Sequence, residues 1–468
     1  MHYDYDLIVI GGGSGGVRAA RKAALYGARV AMCEGDRVGG TCVMRGCVPK
    51  KLMVYASEFR EAFEDASHFG WKLPEVPEHD FGGLMGHIAT ELDRLEDIYK
   101  LNLRKAGADL FSAYAELQDA HTVLLSDGRR LTAQTILIAT GGKPNPHEAL
   151  EGHGESLLSD DVFALREIPK RLVVLGSGYI GTEFAGVFNG LGSHVTMVYR
   201  GQDILTGFDH DVRSRVHRAY VRRGIETRAA TVLHNVRKDG DEIVATTSDD
   251  EEIRADAVLL AVGRIPNTEG LGLDRVGVAL GQKGHVLVDG DHRTNVDNIY
   301  AIGDVTGEVE LTPYAIRQGE VFASALFGDG EKDYVFDVIP TSVFSQPPAG
   351  TVGPREEDAL ETYPDLDVYC SEFRPMRGAF ANRDERMFFK LLVNAQDDRV
   401  VAAHLFGADT PELVQVIAIA INAKVTKRDF DRTMALHPSA SEELVTMGEP
   451  RHRYRGGKLV EKTAIAAE

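Results

Sequence analysis

Twice in this chain an apolar, strand-like run opens directly into a glycine turn and then a helix-like stretch. The two segments are YDLIVIGGGSGG at Tyr5–Gly16 and RLVVLGSGYIG at Arg171–Gly181. Gly11, Gly13 and Gly16 in the first, and Gly176, Gly178 and Gly181 in the second, fit the spacing GxGxxG. The first glycine permits the tight turn, the second lets a pyrophosphate approach the backbone, and the third lets helix and strand pack closely. Ser14 and Gly15, and in the second unit Tyr179 and Ile180, then lie in the first helical turn, whose N–H groups and dipole favour a phosphate. Two such units predict an α/β chain with two Rossmann-like dinucleotide-binding domains and therefore two dinucleotides.

The strand after each helix distinguishes the two units. In the first unit a helix from Gly13 to about Gly27 leads to a strand, Ala28 to Glu34. Glu34 then stands where a carboxylate accepts from ribose hydroxyls. The second unit's strand ends at Tyr199 and Arg200, with no carboxylate in that place. A cation there suits a 2′-phosphate, which favours NADPH over NADH.

A chain of 468 residues has room for about three domains. TILIATGGKPNP (Thr135–Pro146) and AVLLAVGRIPN (Ala257–Asn267) are strands ending in glycine and proline, as suits a boundary. The division expected is 1–145 and 146–268 for the two dinucleotide units, 269–337 for a central segment, 338–450 for an α+β domain, and 451–468 for a tail. The α+β domain has strands around Thr341–Phe344 and Met387–Val393 and a helical pattern from Pro411 to Ala423, without a glycine fingerprint. The polar tail is expected to fray. A net charge of −19 argues against nucleic acid or an anionic membrane as partner. No run of 18 or more apolar residues is present, and the N-terminus lacks the basic start of a signal peptide, so a cytoplasmic protein is expected.

Four cysteines, Cys33, Cys42, Cys47 and Cys370, make no disulfide framework, and no second close pair completes a metal site. Cys42 and Cys47 lie in GGTCVMRGCVPKK, Gly39–Lys51. Five residues apart on an undistorted helix, their Cα atoms would be roughly 8.7 Å apart. A disulfide needs less than about 7 Å. Pairing therefore requires a distorted turn, for which Gly46 and Pro49 are suited. Lys50, Lys51 and the helix N-terminus should favour thiolate over thiol.

This segment resembles the active-site segment of the pyridine nucleotide-disulfide oxidoreductases, in particular glutathione reductases of the plant and bacterial branch. IYAIGDVTGEVELTP (Ile299–Pro313), PTSVFSQPPAGTVG (Pro340–Gly353) and LHPSASEELVTM (Leu436–Met447) extend the resemblance over nearly the whole chain. It implies FAD and NADPH as cofactors, glutathione disulfide as substrate, a dimerisation role for 338–450, and 269–337 completing the FAD domain. Thr41, Lys50, Ala115, Thr140, Gly141, Gly303, Asp304 and Thr312 would lie near FAD. Tyr179, Glu183 and Gly263 would serve the nicotinamide side, with Lys50 paired to Glu183. Cys47 would be the thiol beside the flavin and Cys42 the thiol that attacks the substrate. His437, oriented by Glu442, would be the acid–base group, donated across a homodimer interface, and His437–Pro438 would be a cis peptide. Arg21 and Tyr99 match glutathione contacts. Two positions depart from the pattern: Thr206 stands where a second arginine for the 2′-phosphate is usual, and Glu320 replaces an arginine of some members. A dihydrolipoamide dehydrogenase is the nearest rival reading, and a non-catalytic flavin-binding redox sensor is a remote one.

Overall fold

Leu7, Ile8, Val9 and Ile10 are all but fully buried in β1 (Tyr5–Ile10), as an unbroken apolar run requires of a strand covered on both faces. The computed structural model describes residues 2–330 and 337–462. After β1 come α1 (Ser14–Leu25), β2 (Val30–Glu34), α2 (Gly40–Arg45), α3 (Cys47–Asp65) and α4 (Phe81–Ala106). β3 (Ala108–Ser112), β4 (Ala115–Leu117), β5 (Thr122–Leu125) and β6 (Arg130–Ile138) come next. β3, β2, β1 and β6 are parallel in that order, and β5 and β4 continue the sheet antiparallel from the first residues of β6. The turn after β1 admits only glycine. Gly11 has φ +107°, and a Cβ there would lie 2.3 Å from the Ala139 carbonyl oxygen.

β7 (Gly142–Pro144) and β8 (Leu157–Leu158) lead to the second unit: β9 (Arg171–Leu175), α5 (Tyr179–Gly190), β10 (His194–Val198), α6 (His210–Arg222) and β11 (Glu226–Arg228). β12 (Leu233–Asp239), β13 (Glu242–Thr247) and β14 (Glu252–Ala255) form a separate antiparallel sheet. β15 (Ala257–Leu260) then returns beside β9, giving the parallel order β11–β10–β9–β15–β8. The first turn's geometry repeats: Gly176 has φ +122°, and its Cβ would meet the Ala261 carbonyl oxygen at 2.2 Å. β16 (Arg264–Pro266) pairs with β7. After α7 (Leu273–Val276), β17 (Ile299–Ala301) joins the first sheet beside β6, and α8 (Thr312–Phe327) packs along α1.

The rest is built on one antiparallel sheet. It contains β18 (Thr341–Val343), β19 (Ala349–Val352), α9 (Glu356–Thr362), β20 (Leu366–Phe373), α10 (Met376–Phe380), β21 (Met387–Asn394) and β22 (Val400–Phe406). α11 (Thr410–Asn422), α12 (Lys427–Asp431) and α13 (Glu443–Thr446) succeed them, and α11 buries Val414, Ile417 and Ala418. The tail does not fray as expected. β23 (His452–Arg455) and β24 (Lys458–Lys462) extend the sheet to β18–β19–β22–β21–β20–β23–β24. Gly456 and Gly457, at φ +58° and +73°, make the tight turn between them, and β23 pairs with β20 (Leu366 opposite Tyr454). The part of the expected tail at 463–468 lies outside the described residues.

This sheet meets the second dinucleotide unit through a buried ion cluster. Lys390 on β21 contacts Asp209 (2.9 Å), Asp211 (2.9 Å) and Glu356 (2.6 Å). Asp209 is also the N-cap of α6, accepting from the Asp211 N–H. The Tyr454 hydroxyl donates to Glu356 at 2.7 Å, which joins the tail to the same cluster. Among the described residues no helix is long and apolar enough to cross a membrane.

Candidate active site

Cys42 sits on α2, and Cys47 is the first residue of α3. The distortion expected between them falls at Gly46, where the chain leaves helical geometry (φ −152°, ψ −115°) and begins a new helix. A Cβ on Gly46 would press to 2.9 Å from the Thr41 carbonyl oxygen, so the close approach of the two helices needs glycine there. Pro49 lies in the first turn of α3, where a missing N–H costs nothing, and does not make the break.

The break brings the two sulfurs into hydrogen-bond contact as free thiols, and it makes them unequal. The bond from Cys42 is the main cause that holds the Cys47 thiol down to about 6, against burial. The Thr312 hydroxyl, whose Oγ1 is 3.8 Å from Cys47 Sγ, and the charge of Lys50 add to this. The same bond, with burial, pushes Cys42 well above the usual thiol range. Cys47 is therefore the thiol that ionises more readily and Cys42 the one that keeps its proton longer. Of the two lysines expected to act on the pair, Lys50 is the one among the main influences on Cys47. Lys51 instead lies over the rings of Tyr55 and Phe344, at 4.5 and 4.2 Å from their centroids.

Lys50 is buried and paired with Glu183 of α5 at 2.7 Å. The same Glu183 oxygen accepts the Phe344 N–H at 2.9 Å, and Lys50 Nζ stands 4.1 Å over the Phe344 ring. Tyr179, at the start of α5, is 42% exposed. Thr312 opens α8. Sequence positions 41–50, 179–183, 312 and 344 thus converge on one place.

The two glycine turns have matching space beside them. A Cβ on Gly13 would have its nearest neighbour 4.0 Å away, and one on Gly178 would meet nothing within 4 Å. Neither α1 nor α5 has a side-chain cap, so their first N–H groups face that space. Glu34 lies at the end of β2 and accepts from the Gly12 N–H at 2.6 Å and the Asp36 N–H at 2.8 Å. Burial is the main influence on it and raises its carboxyl. Ala115 is buried at the start of β4, and Thr140 donates to the Asn267 carbonyl at 2.7 Å beside Gly141. Gly303 donates to Gln318 at 2.9 Å, and burial raises the Asp304 carboxyl. Gly15, Gly16, Gly181 and Ile180 lie inside α1 and α5, and Gly263 (φ +110°) comes after β15.

Arg200 is exposed just beyond β10, and Thr206 is exposed in the next loop. Arg21 of α1 has a buried Nε without a hydrogen-bond partner, and the charges of Arg18, Arg21 and Cys42 all act on Tyr99 of α4. Glu320 of α8 is paired with Lys22 of α1 at 3.1 Å. His437 and Glu442 are joined, Nδ1 to Oε2 at 3.0 Å, and His437–Pro438 is cis. The His437 side chain is 77% exposed, and within one chain no hydrogen bond links it to Cys42 among the described residues. No group of three or more His, Cys, Asp or Glu side chains among the described residues is placed to hold a metal ion.

Sequence reading missed four neighbours of the pair. Arg45 of α2 is ion-paired with Asp36 and lies 3.9 Å from Asp160. Arg264 of β16 lies 3.9 Å from Asp160 and donates to Thr41 Oγ1 at 3.5 Å. Phe344 carries both lysines. The one available signal was Arg264 itself, a cation between a turn glycine and a proline directly after a buried strand.

Residues 5–319 match the family described as pyridine nucleotide-disulphide oxidoreductase, and residues 339–448 match the dimerisation domain of the same name. A glutathione reductase of Burkholderia cepacia is 44% identical over 96% of this chain and 99% of its own length. One from Nostoc sp. is 43% identical over 96% and 100%. The chloroplastic/mitochondrial glutathione reductase of Pisum sativum is 42% identical over 97% of this chain and 84% of its own. With both profiles matched in order and these relatives aligned nearly end to end, the chain belongs to the pyridine nucleotide-disulphide oxidoreductase family.

Proposed function

We propose that this chain is a flavoprotein that uses NADPH to reduce glutathione disulfide to two molecules of glutathione. One observation carries the redox part: two hydrogen-bonded cysteines, of which Cys47 ionises more readily, beside a buried Lys50–Glu183 pair. The relatives named glutathione reductase carry the choice of disulfide.

The residues present fit both cofactors, since each glycine turn leaves open space over an uncapped helix N-terminus. FAD would be held by Gly11, Gly13, Ser14, Gly15, Gly16, Glu34, Thr41, Ala115, Thr140, Gly141, Gly303, Asp304 and Thr312. NADPH would be held by Gly176, Gly178, Tyr179, Ile180, Gly181, Arg200 and Gly263. When bound, the two dinucleotides supply the electron pair that opens the Cys42–Cys47 disulfide. Lys50, held charged by its ion pair with Glu183, keeps a positive charge near Cys47 and stabilises its thiolate. Cys42 passes its proton to His437 and attacks one sulfur of the substrate; the substrate's S–S bond breaks, a Cys42–glutathione bond forms and the first glutathione leaves. His437 protonates the leaving sulfur and Glu442 orients the imidazole. Cys47 then attacks the Cys42 sulfur, restores the disulfide and releases the second glutathione. Arg21 and Tyr99 would position the substrate's carboxylates, Tyr99 lying within electrostatic reach of both Cys42 and Arg21. The exposed His437–Glu442 pair fits a homodimer in which the partner subunit's His437 completes each site. A dithiol of this kind suits the reducing cytoplasm.

The test is turnover by purified holoenzyme with NADPH or NADH against glutathione disulfide and lipoamide. NADPH oxidation with glutathione disulfide is expected; turnover with lipoamide alone overturns the substrate. Cys42→Ser should abolish turnover and retain long-wavelength thiolate–flavin absorbance, whereas Cys47→Ser should lose both. The opposite pattern reverses the two thiol roles.

A further inference from the structure

α2 is only six residues long, has no side-chain cap, and yet carries Cys42. Isolated, a single turn of this kind is unstable. It is gripped at both ends. At its start, Arg264 donates to Thr41 Oγ1 (3.5 Å) and to the Gly142 carbonyl oxygen. At its end, Arg45 is ion-paired with Asp36, just beyond β2, and faces Asp160 at 3.9 Å. Asp160 also faces Arg264 at 3.9 Å. Asp160 belongs to the loop after β8, the edge strand of the second dinucleotide sheet. Its carboxyl is raised by burial and drawn back by Arg264 and Arg45, which marks it as a partly desolvated bridge between the two guanidiniums. Arg264 is 8% exposed and Asp160 25%.

We infer that Arg45, Asp160 and Arg264 form a positioning network that ties the redox helix to the nicotinamide-side domain and holds Cys42 in register with Cys47. This rests on the proposed redox role of the cysteine pair. The groups facing Cys47 are Cys42 on α2, Lys50 on α3, Glu183 on α5 and Thr312 on α8. Only Cys42 is carried by the gripped element, and its hydrogen bond is the largest influence on Cys47. Loosening α2 therefore raises the Cys47 titration while leaving Lys50, Glu183 and Thr312 in place.

The experiment compares wild-type holoenzyme with Arg45→Met, Asp160→Asn, the double variant and Arg45→Lys. Iodoacetamide alkylation of the reduced pair is followed against pH, alongside turnover with glutathione disulfide and NADPH oxidation by ferricyanide. Arg45→Met should raise the thiolate titration by about 0.5 pH unit or more. It should lower disulfide turnover about 10-fold or more, as misplaced reacting groups do. Ferricyanide reduction should hold. Asp160→Asn, which is isosteric, should show the same effects, the double variant should be no worse than either single, and Arg45→Lys should restore most of the loss. Unchanged titration in both single variants, or single losses that multiply in the double, overturns the network. Wild-type enzyme whose alkylation is not blocked by prior oxidation overturns the redox reading and the network with it.

Discussion

Arg200 and Thr206 are both exposed, one at the end of β10 and the other in the loop after it. If Arg200 takes the 2′-phosphate, as proposed, discrimination between NADPH and NADH would rest on that one contact, since Thr206 brings no charge. Thr206→Arg adds a second charge-assisted donor and should raise the ratio of kcat/KM for NADPH over NADH about 10-fold. Arg200→Ala should lower it by a similar factor. Steady-state kinetics with both nucleotides measures each, and an unmoved ratio in both variants would place the phosphate elsewhere. At this scale the sequence was informative where one residue's chemistry suffices. Glu34, Lys50 and the two cysteines are each marked by a local motif, and Glu183 by the family resemblance. Arg45, Asp160 and Arg264 come from three separated segments, each ordinary by itself, and only the packing of three elements around α2 makes them neighbours. The resemblance implied different roles for the two thiols, but the physical cause of their inequality lay beyond the sequence, because the hydrogen bond between them depends on the break at Gly46.

Helix and strand units were legible wherever the glycine spacing forced them. Gly11 and Gly13 separate the two reasons for that spacing. A Cβ on Gly11 would strike backbone at 2.3 Å in a left-handed conformation, whereas one on Gly13 would have no neighbour nearer than 4.0 Å within the chain. Gly11→Ala should therefore destabilise the protein by about 2 kcal/mol or more. Gly13→Ala should change the stability of the flavin-free protein by less than about 0.5 kcal/mol and yet lose flavin affinity. Thermal unfolding and flavin content after purification distinguish the two. If Gly13→Ala binds flavin normally, the open space over α1 is not the pyrophosphate site. The tail failed as a prediction for a readable reason: Gly456-Gly457 between alternating residues is a hairpin signal, but the flanking Arg, Lys and Glu hid it under a polar composition.

The sheet of residues 341–462 is fastened to the second dinucleotide unit by Lys390 and its three carboxylates. Despite burial, these partners lower Asp209, Asp211 and Glu356 and raise Lys390. The carboxylates' contribution is therefore full above their unfolded values, near about 4, and is lost as pH falls through their lower folded values. That of Lys390 is full below its unfolded value, about 10.4, and is lost as pH rises through its higher folded value. Lys390→Met strands the buried Asp209 and removes the nearest cation from the half-buried Asp211 and Glu356, and should cost about 3–5 kcal/mol at neutral pH. The deficit should shrink on acidification, because the stranded acids then take up protons more readily in the folded state than in the unfolded chain. Thermal unfolding from about pH 5 to 9 checks this, and a deficit independent of pH would assign the loss to packing instead. The hairpin of β23 and β24 acts on the other margin of the same sheet. Without it, Leu366, Asp367 and Val368 of β20 would offer their outer backbone edge to any neighbouring strand. With it, the outermost strand is β24, five exposed residues with a lysine at each end and a glutamate between. Among the described residues the sheet thus ends in a charged selvage, which works against the open-ended addition of strands from other copies.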